Sequence, residues 1–138
     1  MYRRVLYGAP FAMLVAFAAV PAVWPVGAWI EGRVFPVATP YEITRQEKVA
    51  DGVLFHVRFD KLRSCQFLGI QWYRGARRIV LDLEPDSDKF PKSRPAGAQE
   101  IGPWLLRGEA TVDGTWSIVQ HRCHPLWVTE TLMYGSRP

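Results

Sequence analysis

The longest uncharged stretch of the chain lies near its start, over residues 5–29, directly after Arg3 and Arg4. A helix of this length spans a hydrocarbon core of roughly 30 Å. Trp24 and Trp29 lie near its far end, and tryptophan side chains favour the membrane interface. Basic residues before a span favour a cytoplasmic start. The pattern therefore predicts a membrane helix that acts as a signal anchor.

This prediction divides the chain into an anchor and an exported part in the periplasm or outside the cell. The predicted segments are residues 1–4 in the cytoplasm, residues 5–29 in the membrane, residues 30–34 as a juxtamembrane linker and residues 35–138 as the exported domain.

Two other interpretations of the first segment stay open. A cleaved secretory signal would use Val20-Pro21-Ala22 as its small-residue cleavage site. A core helix of a soluble protein is the second, although so long an uncharged run is rare there. Pro21 and Pro25 also predict a kink or an early end of the helix.

Beyond Val34 the hydrophobic pattern changes to the alternation of half-buried strands. In VLFHVRF, residues 53–59, valine and phenylalanine occupy one face and mostly polar residues the other. Gly75 and the pair Asp113-Gly114 are turn signals. Further strands are predicted over residues 35–43, 65–73, 78–84, 101–108, 115–123 and 126–134.

About seven short strands without an amphipathic helix make the chain mainly β. This count and spacing favour a small antiparallel β-sandwich of immunoglobulin-like architecture, with a small β-barrel as the alternative. Residues 85–99 contain three prolines and predict a flexible surface loop.

The composition and the absence of known motifs argue against several classes of function. The chain is 49% hydrophobic and 22% charged, which indicates a folded domain. Its formal net charge of +4 is scattered, whereas a nucleic-acid-binding protein carries a clustered basic face. No G-x-S-x-G, C-x-x-C or glycine-rich phosphate motif occurs. We therefore expect no nucleic-acid partner, no cofactor and no enzymatic activity.

The two cysteines, Cys65 and Cys123, both follow the uncharged segment. An even number of cysteines in an exported domain predicts a disulfide. Cys65 opens one predicted strand and Cys123 closes another, so the two are close enough to bond if these strands are antiparallel neighbours. Strict alternation points Cys65 away from Ile70 and Trp72, so a bulge or an edge position is needed.

The segment VQHRCHPLW contains the residue types of a metal site. His121, Cys123, His124 and Met133, with His56 from another strand, resemble the ligand types of a blue-copper centre. Adjacent residues of a strand point to opposite faces, so Cys123 and His124 need a turn between them to bind one ion. A membrane-tethered metal or redox protein is therefore the alternative function.

The function that the sequence favours is an interaction or structural accessory module at the outer face of the membrane. Immunoglobulin-like topology would put the turn after Cys123 near the membrane. The candidate contact residues for lipid headgroups or for another membrane or envelope protein are His121, His124, Trp127 and Trp104.

Overall fold

A computed structural model describes residues 3–83 and 94–138 of the chain. It contains one helix and eight strands in the described part. They are α1 (Arg3–Val34), β1 (Glu42–Val49), β2 (Gly52–Lys61), β3 (Gln66–Arg74), β4 (Arg77–Ile79), β5 (Leu81–Asp82), β6 (Gly97–Arg107), β7 (Trp116–Arg122) and β8 (Thr129–Tyr134).

The strands form two antiparallel sheets of four strands each. Their orders are β1-β2-β6-β5 and β4-β3-β7-β8. The chain is therefore mainly β, as predicted. The described strands do not form a closed barrel, so the alternative prediction of a small β-barrel is wrong.

The two sheets share one hydrophobic core. Phe55 on β2 and Trp72 on β3 are fully buried, and their ring centres lie 5.1 Å apart in an edge-to-face arrangement. Such aromatic pairs add to the burial of apolar surface. The alternation predicted for residues 53–59 is confirmed, since Val53, Phe55 and Val57 are all buried.

The predicted strand over residues 78–84 is two strands in different sheets. Ile79 pairs with Trp72 in one sheet, whereas Leu81 pairs with Leu106 in the other. Val80, between them, is 60% exposed. Because the chain crosses from one sheet to the other here, Ile79 and Leu81 reach the same core from opposite sides.

Three other predicted segments differ from the helix and strand bounds of the structure. Residues 30–34 belong to α1, and β6 begins at Gly97, inside the predicted loop 85–99. Residues 85–93 of that loop lie outside the described residues. The strand predicted over residues 35–43 is mostly irregular, because Pro36 and Pro40 have no backbone N–H to donate. The first strand is β1, a polar edge strand.

An irregularity in β3 explains how the side chain of Cys65 can lie on the same side of the sheet as Ile70 and Trp72. The pairing of β3 with β7 shifts register between Phe67 and Gly69. Phe67 and Ile70 consequently both pack against the core, while Leu68 is 38% exposed. Strict alternation would put Leu68 on the same face as Ile70 and Trp72, which the extra residue prevents.

Helix α1 is bent by 48° between Pro10–Pro21 and Val23–Val34. Pro25 lacks the N–H that would bond to the carbonyl of Pro21, which accounts for a bend at this point. Within the described residues no unbroken helix meets the length and hydropathy needed to cross a membrane, and the two bent segments meet them only together.

Candidate functional site

The end of α1 is hydrogen-bonded to the loop that follows β7. The carboxylate of Glu31 accepts hydrogen bonds from the Trp127 indole at 2.6 Å and from the Thr129 hydroxyl at 2.7 Å. The Arg63 guanidinium donates to the same carboxylate at 3.0 Å. The side chain of Glu31 is only 12% exposed, so these charge-assisted bonds are screened little by water.

A second contact lies about two helical turns earlier. The indole N–H of Trp24 donates to the carbonyl oxygen of Leu126 at 2.8 Å. Trp24 and Glu31 therefore hold the segment 123–129 along one side of the helix.

Two glycines allow this close approach. A Cβ atom on Gly27 would lie 3.0 Å from the ring of Trp127, and one on Gly32 would lie 2.7 Å from the carbonyl oxygen of Glu130. The second distance is shorter than real Cβ contacts, and its partner is rigid backbone. The helix can approach β8 this closely because residue 32 has no side chain.

A disulfide bond fixes the start of the same loop. Cys65 directly precedes β3 and Cys123 directly follows β7, and the two are bonded with their Cα atoms 4.8 Å apart. Gln66 pairs with Arg122 at the same end of the sheet. The predicted disulfide, between the start of one strand and the end of its antiparallel neighbour, is confirmed.

His124 and Trp127, two of the predicted contact residues, lie together in this loop. Their rings stack with centres 3.9 Å apart and an angle of 10° between the planes. The Nδ1 atom of His124 accepts a hydrogen bond from the Leu126 N–H at 3.2 Å. In the neutral ring this places the proton on Nε2. The main contact of Trp127 is the chain's own helix.

His121 and Trp104, the other two predicted contact residues, are buried instead. They are 6% and 2% exposed, and they line a cavity of about 40 Å³ between the sheets together with Lys61 and Met133. Burial, and to a smaller extent the positive charge of Lys61, together lower the pKa of His121 from 6.5 to about 4. Neither residue belongs to the surface around Trp127.

The structure does not assemble the alternative metal site. The sulfur of Cys123 is bonded to Cys65, so it is not a free thiolate, and Met133 lies in the core. His56 lies on β2, in the opposite sheet from His121 on β7. In residues 3–83 and 94–138 no group of three His, Cys, Asp or Glu side chains has an arrangement suited to a metal ion.

The sequence analysis did not identify Glu31, which accepts hydrogen bonds from residues 32, 96 and 98 positions away. The available signal was a lone carboxylate directly after a long uncharged run. No family model, curated protein or solved structure matches this chain.

Proposed function

We propose that the chain is a single-pass, membrane-anchored accessory module without catalytic activity, whose exported domain is held against the end of its own membrane helix. One observation carries this proposal. Phe11, Leu14 and Phe17 are 71%, 71% and 75% exposed, and every other described side chain from Pro10 to Trp24 is exposed as well. A core helix of a soluble protein would bury such residues, whereas a lipid bilayer supplies an apolar surrounding for all of them.

We further propose that the domain is an immunoglobulin-like β-sandwich. The orders β1-β2-β6-β5 and β4-β3-β7-β8 correspond to strands A-B-E-D and C′-C-F-G of that architecture. Trp72, fully buried on β3, occupies the place of the core tryptophan on strand C. The disulfide differs, because it joins neighbouring strands of one sheet instead of the two sheets.

The surface around the helix end supports the proposed partners, the lipid membrane and a second membrane or envelope protein. Trp29, Phe35 and Leu126 are 60%, 58% and 55% exposed close to the junction. Aromatic and apolar side chains beside a span suit the headgroup region. With a cytoplasmic N-terminus, this surface would face the membrane from the periplasmic or extracellular side.

Membrane insertion can be tested on the full chain with a tag at its C-terminus. We expect the protein to stay in carbonate-washed membranes with the intact mass of its chain, 15.7 kDa, plus that of the tag, and the tag to be accessible to protease from the exported side. Leu14→Arg should release the protein, whereas Val80→Arg, at a 60% exposed position of the domain, should not. Release of the unchanged protein by carbonate, or a mass that lacks the first twenty or so residues, would contradict the anchor.

The partner surface can be tested by photocrosslinking in intact membranes. A crosslinking residue at position 126 or 124 should capture lipid or a membrane protein. The same residue at position 80, which is 60% exposed at the crossing between the sheets, serves as the control. Equal capture from both places would show that the junction is not a specific contact surface.

A further inference from the structure

A groove of about 810 Å³ lies beside the contact between the last turns of α1 and β8. Its apolar side includes Trp29, Leu62 and Leu132, which are 60%, 50% and 43% exposed. Arg33, in the last turn of the helix, and Arg137, after β8, line the same groove. The groove is therefore amphipathic, and its volume is within the range of small-ligand sites.

The two arginines give the groove an excess of positive charge. In the part of the chain that the structure describes, neither guanidinium forms an ion pair. Glu31, two positions before Arg33, is engaged by Trp127, Thr129 and Arg63. Among the described residues, Glu130 is the one carboxylate that lines the groove, and it accepts a hydrogen bond from Gln120 at 2.9 Å.

Arg33 has the geometry of an interfacial anion site. Its guanidinium carbon lies 5.2 Å from the centre of the Trp29 ring, which holds the charge beside an aromatic side chain of the interfacial type. A guanidinium stacked on a ring keeps its N–H edge available for a phosphate, which it can bind through two parallel hydrogen bonds. Arg137 lies similarly over the ring of Trp116, at 5.6 Å.

We propose that this groove binds the headgroup of an anionic phospholipid, with Arg33 and Arg137 toward the phosphate and Trp29, Leu62 and Leu132 against the glycerol and the first acyl carbons. The inference rests on the proposed membrane anchoring, because only an inserted helix brings the groove to a headgroup. Basic pockets next to membrane helices are a recognised form of lipid binding.

The test uses the full chain in nanodiscs of equal parts phosphatidylglycerol and phosphatidylcholine, released into mild detergent for native mass spectrometry. The measured quantity is the ratio of the two lipids that stay bound. We expect phosphatidylglycerol to be enriched, and Arg33→Gln and Arg137→Gln each to reduce the enrichment about fivefold, equivalent to roughly 1 kcal/mol per basic side chain. Arg45→Gln makes the same charge change on the exposed face of β1 and should keep the enrichment.

Each other outcome overturns a defined part of the inference. Insertion without any preference between the two lipids refutes the headgroup site and leaves the anchor intact. An equal loss in the Arg45 variant shows that net charge alone attracts the lipid. If inorganic phosphate binds the detergent-solubilised chain through the same arginines, and no lipid preference exists, the groove is a phosphate site. Failure of the chain to enter nanodiscs refutes the anchor, and this proposal with it.

Discussion

The indole N–H of Trp127 donates a 2.6 Å hydrogen bond to the carboxylate of Glu31, joining two residues that are 96 positions apart. The bond connects the loop after β7 to the last turns of α1, close to the disulfide between Cys65 and Cys123. A domain tied to its helix in this way is held at a defined orientation, which the proposed function as a membrane-anchored module would require.

Glu31→Ala should weaken the attachment of the helix. The change leaves the donors of Trp127, Thr129 and Arg63 without their shared acceptor, so we expect the free energy of unfolding to fall by roughly 2–3 kcal/mol. Urea titration of the full chain in mild detergent, followed by tryptophan fluorescence, measures this loss. Glu31→Gln keeps one acceptor oxygen and should lose less. Glu47→Ala, on the exposed β1, should change little, and an equal effect there would contradict the role of Glu31.

Gly32→Ala tests the close approach of helix and strand. Alanine favours a helix over glycine by about 1 kcal/mol, but its Cβ would lie 2.7 Å from the Glu130 carbonyl oxygen. We expect the contact to dominate and to destabilise the protein by roughly 1–3 kcal/mol. Gly69→Ala meets no atom within 4 Å and provides the matched control. A stabilising effect of Gly32→Ala would show that the helix does not pack on β8.

His121 should make the domain sensitive to mild acid. Its pKa is about 4 in the folded protein against 6.5 ordinarily, so between these values the unfolded chain binds a proton that the folded chain does not. The stability is therefore fully present above pH 6.5 and decreases as the pH falls toward 4, by roughly 3 kcal/mol in total.

Unfolding titrations of the wild type and of His121→Leu across this pH range measure the effect. The variant removes the titrating group, so the free energy of unfolding of the wild type should fall relative to that of the variant as the pH falls. Met133→Leu, a non-titrating change in the lining of the same cavity, should follow the pH dependence of the wild type. Parallel pH profiles of the wild type and His121→Leu would refute the prediction.

The disulfide should supply a large part of the domain's stability. Cys65 and Cys123 are 58 positions apart, and closing a loop of this length contributes about 4 kcal/mol on the chain-entropy model. The double variant Cys65→Ala/Cys123→Ala should lower the free energy of unfolding by this order. Thiol counting should find no free thiols before reduction and two afterwards. Free thiols in the unreduced protein would refute the bond and reopen the metal hypothesis.

The order of the local elements was predictable from the sequence. The alternation in residues 53–59 determines which side chains β2 buries, because the side-chain direction in a strand repeats every two residues. Gly75 and Asp113-Gly114 predicted turns, because tight turns with positive φ angles favour glycine. Both glycines have such angles, of 57° and 73°. The pairing of Cys65 with Cys123 followed from their number and from the expected strand order.

The sheet to which each strand belongs could not be predicted in the same way. The hydrophobic alternation of residues 78–84 predicts one strand, because the two-residue period of side-chain direction is the same whichever sheet a strand belongs to. Only the packing of both sheets on one core makes the chain cross at Val80. The extra residue near Leu68 is likewise invisible in the pattern, and it reverses the faces on either side of it.

The residues of the candidate site also divide into those that the sequence predicts and those that only the tertiary structure shows. The sequence by itself determined an uncharged segment, a mainly β domain and one disulfide, since these depend on composition, local period and cysteine number. The tertiary structure alone decided that His121 and Trp104 are buried and that Glu31 joins the helix to the loop. The physical reason is that burial and hydrogen bonding depend on partners tens of residues away, which a local pattern does not specify.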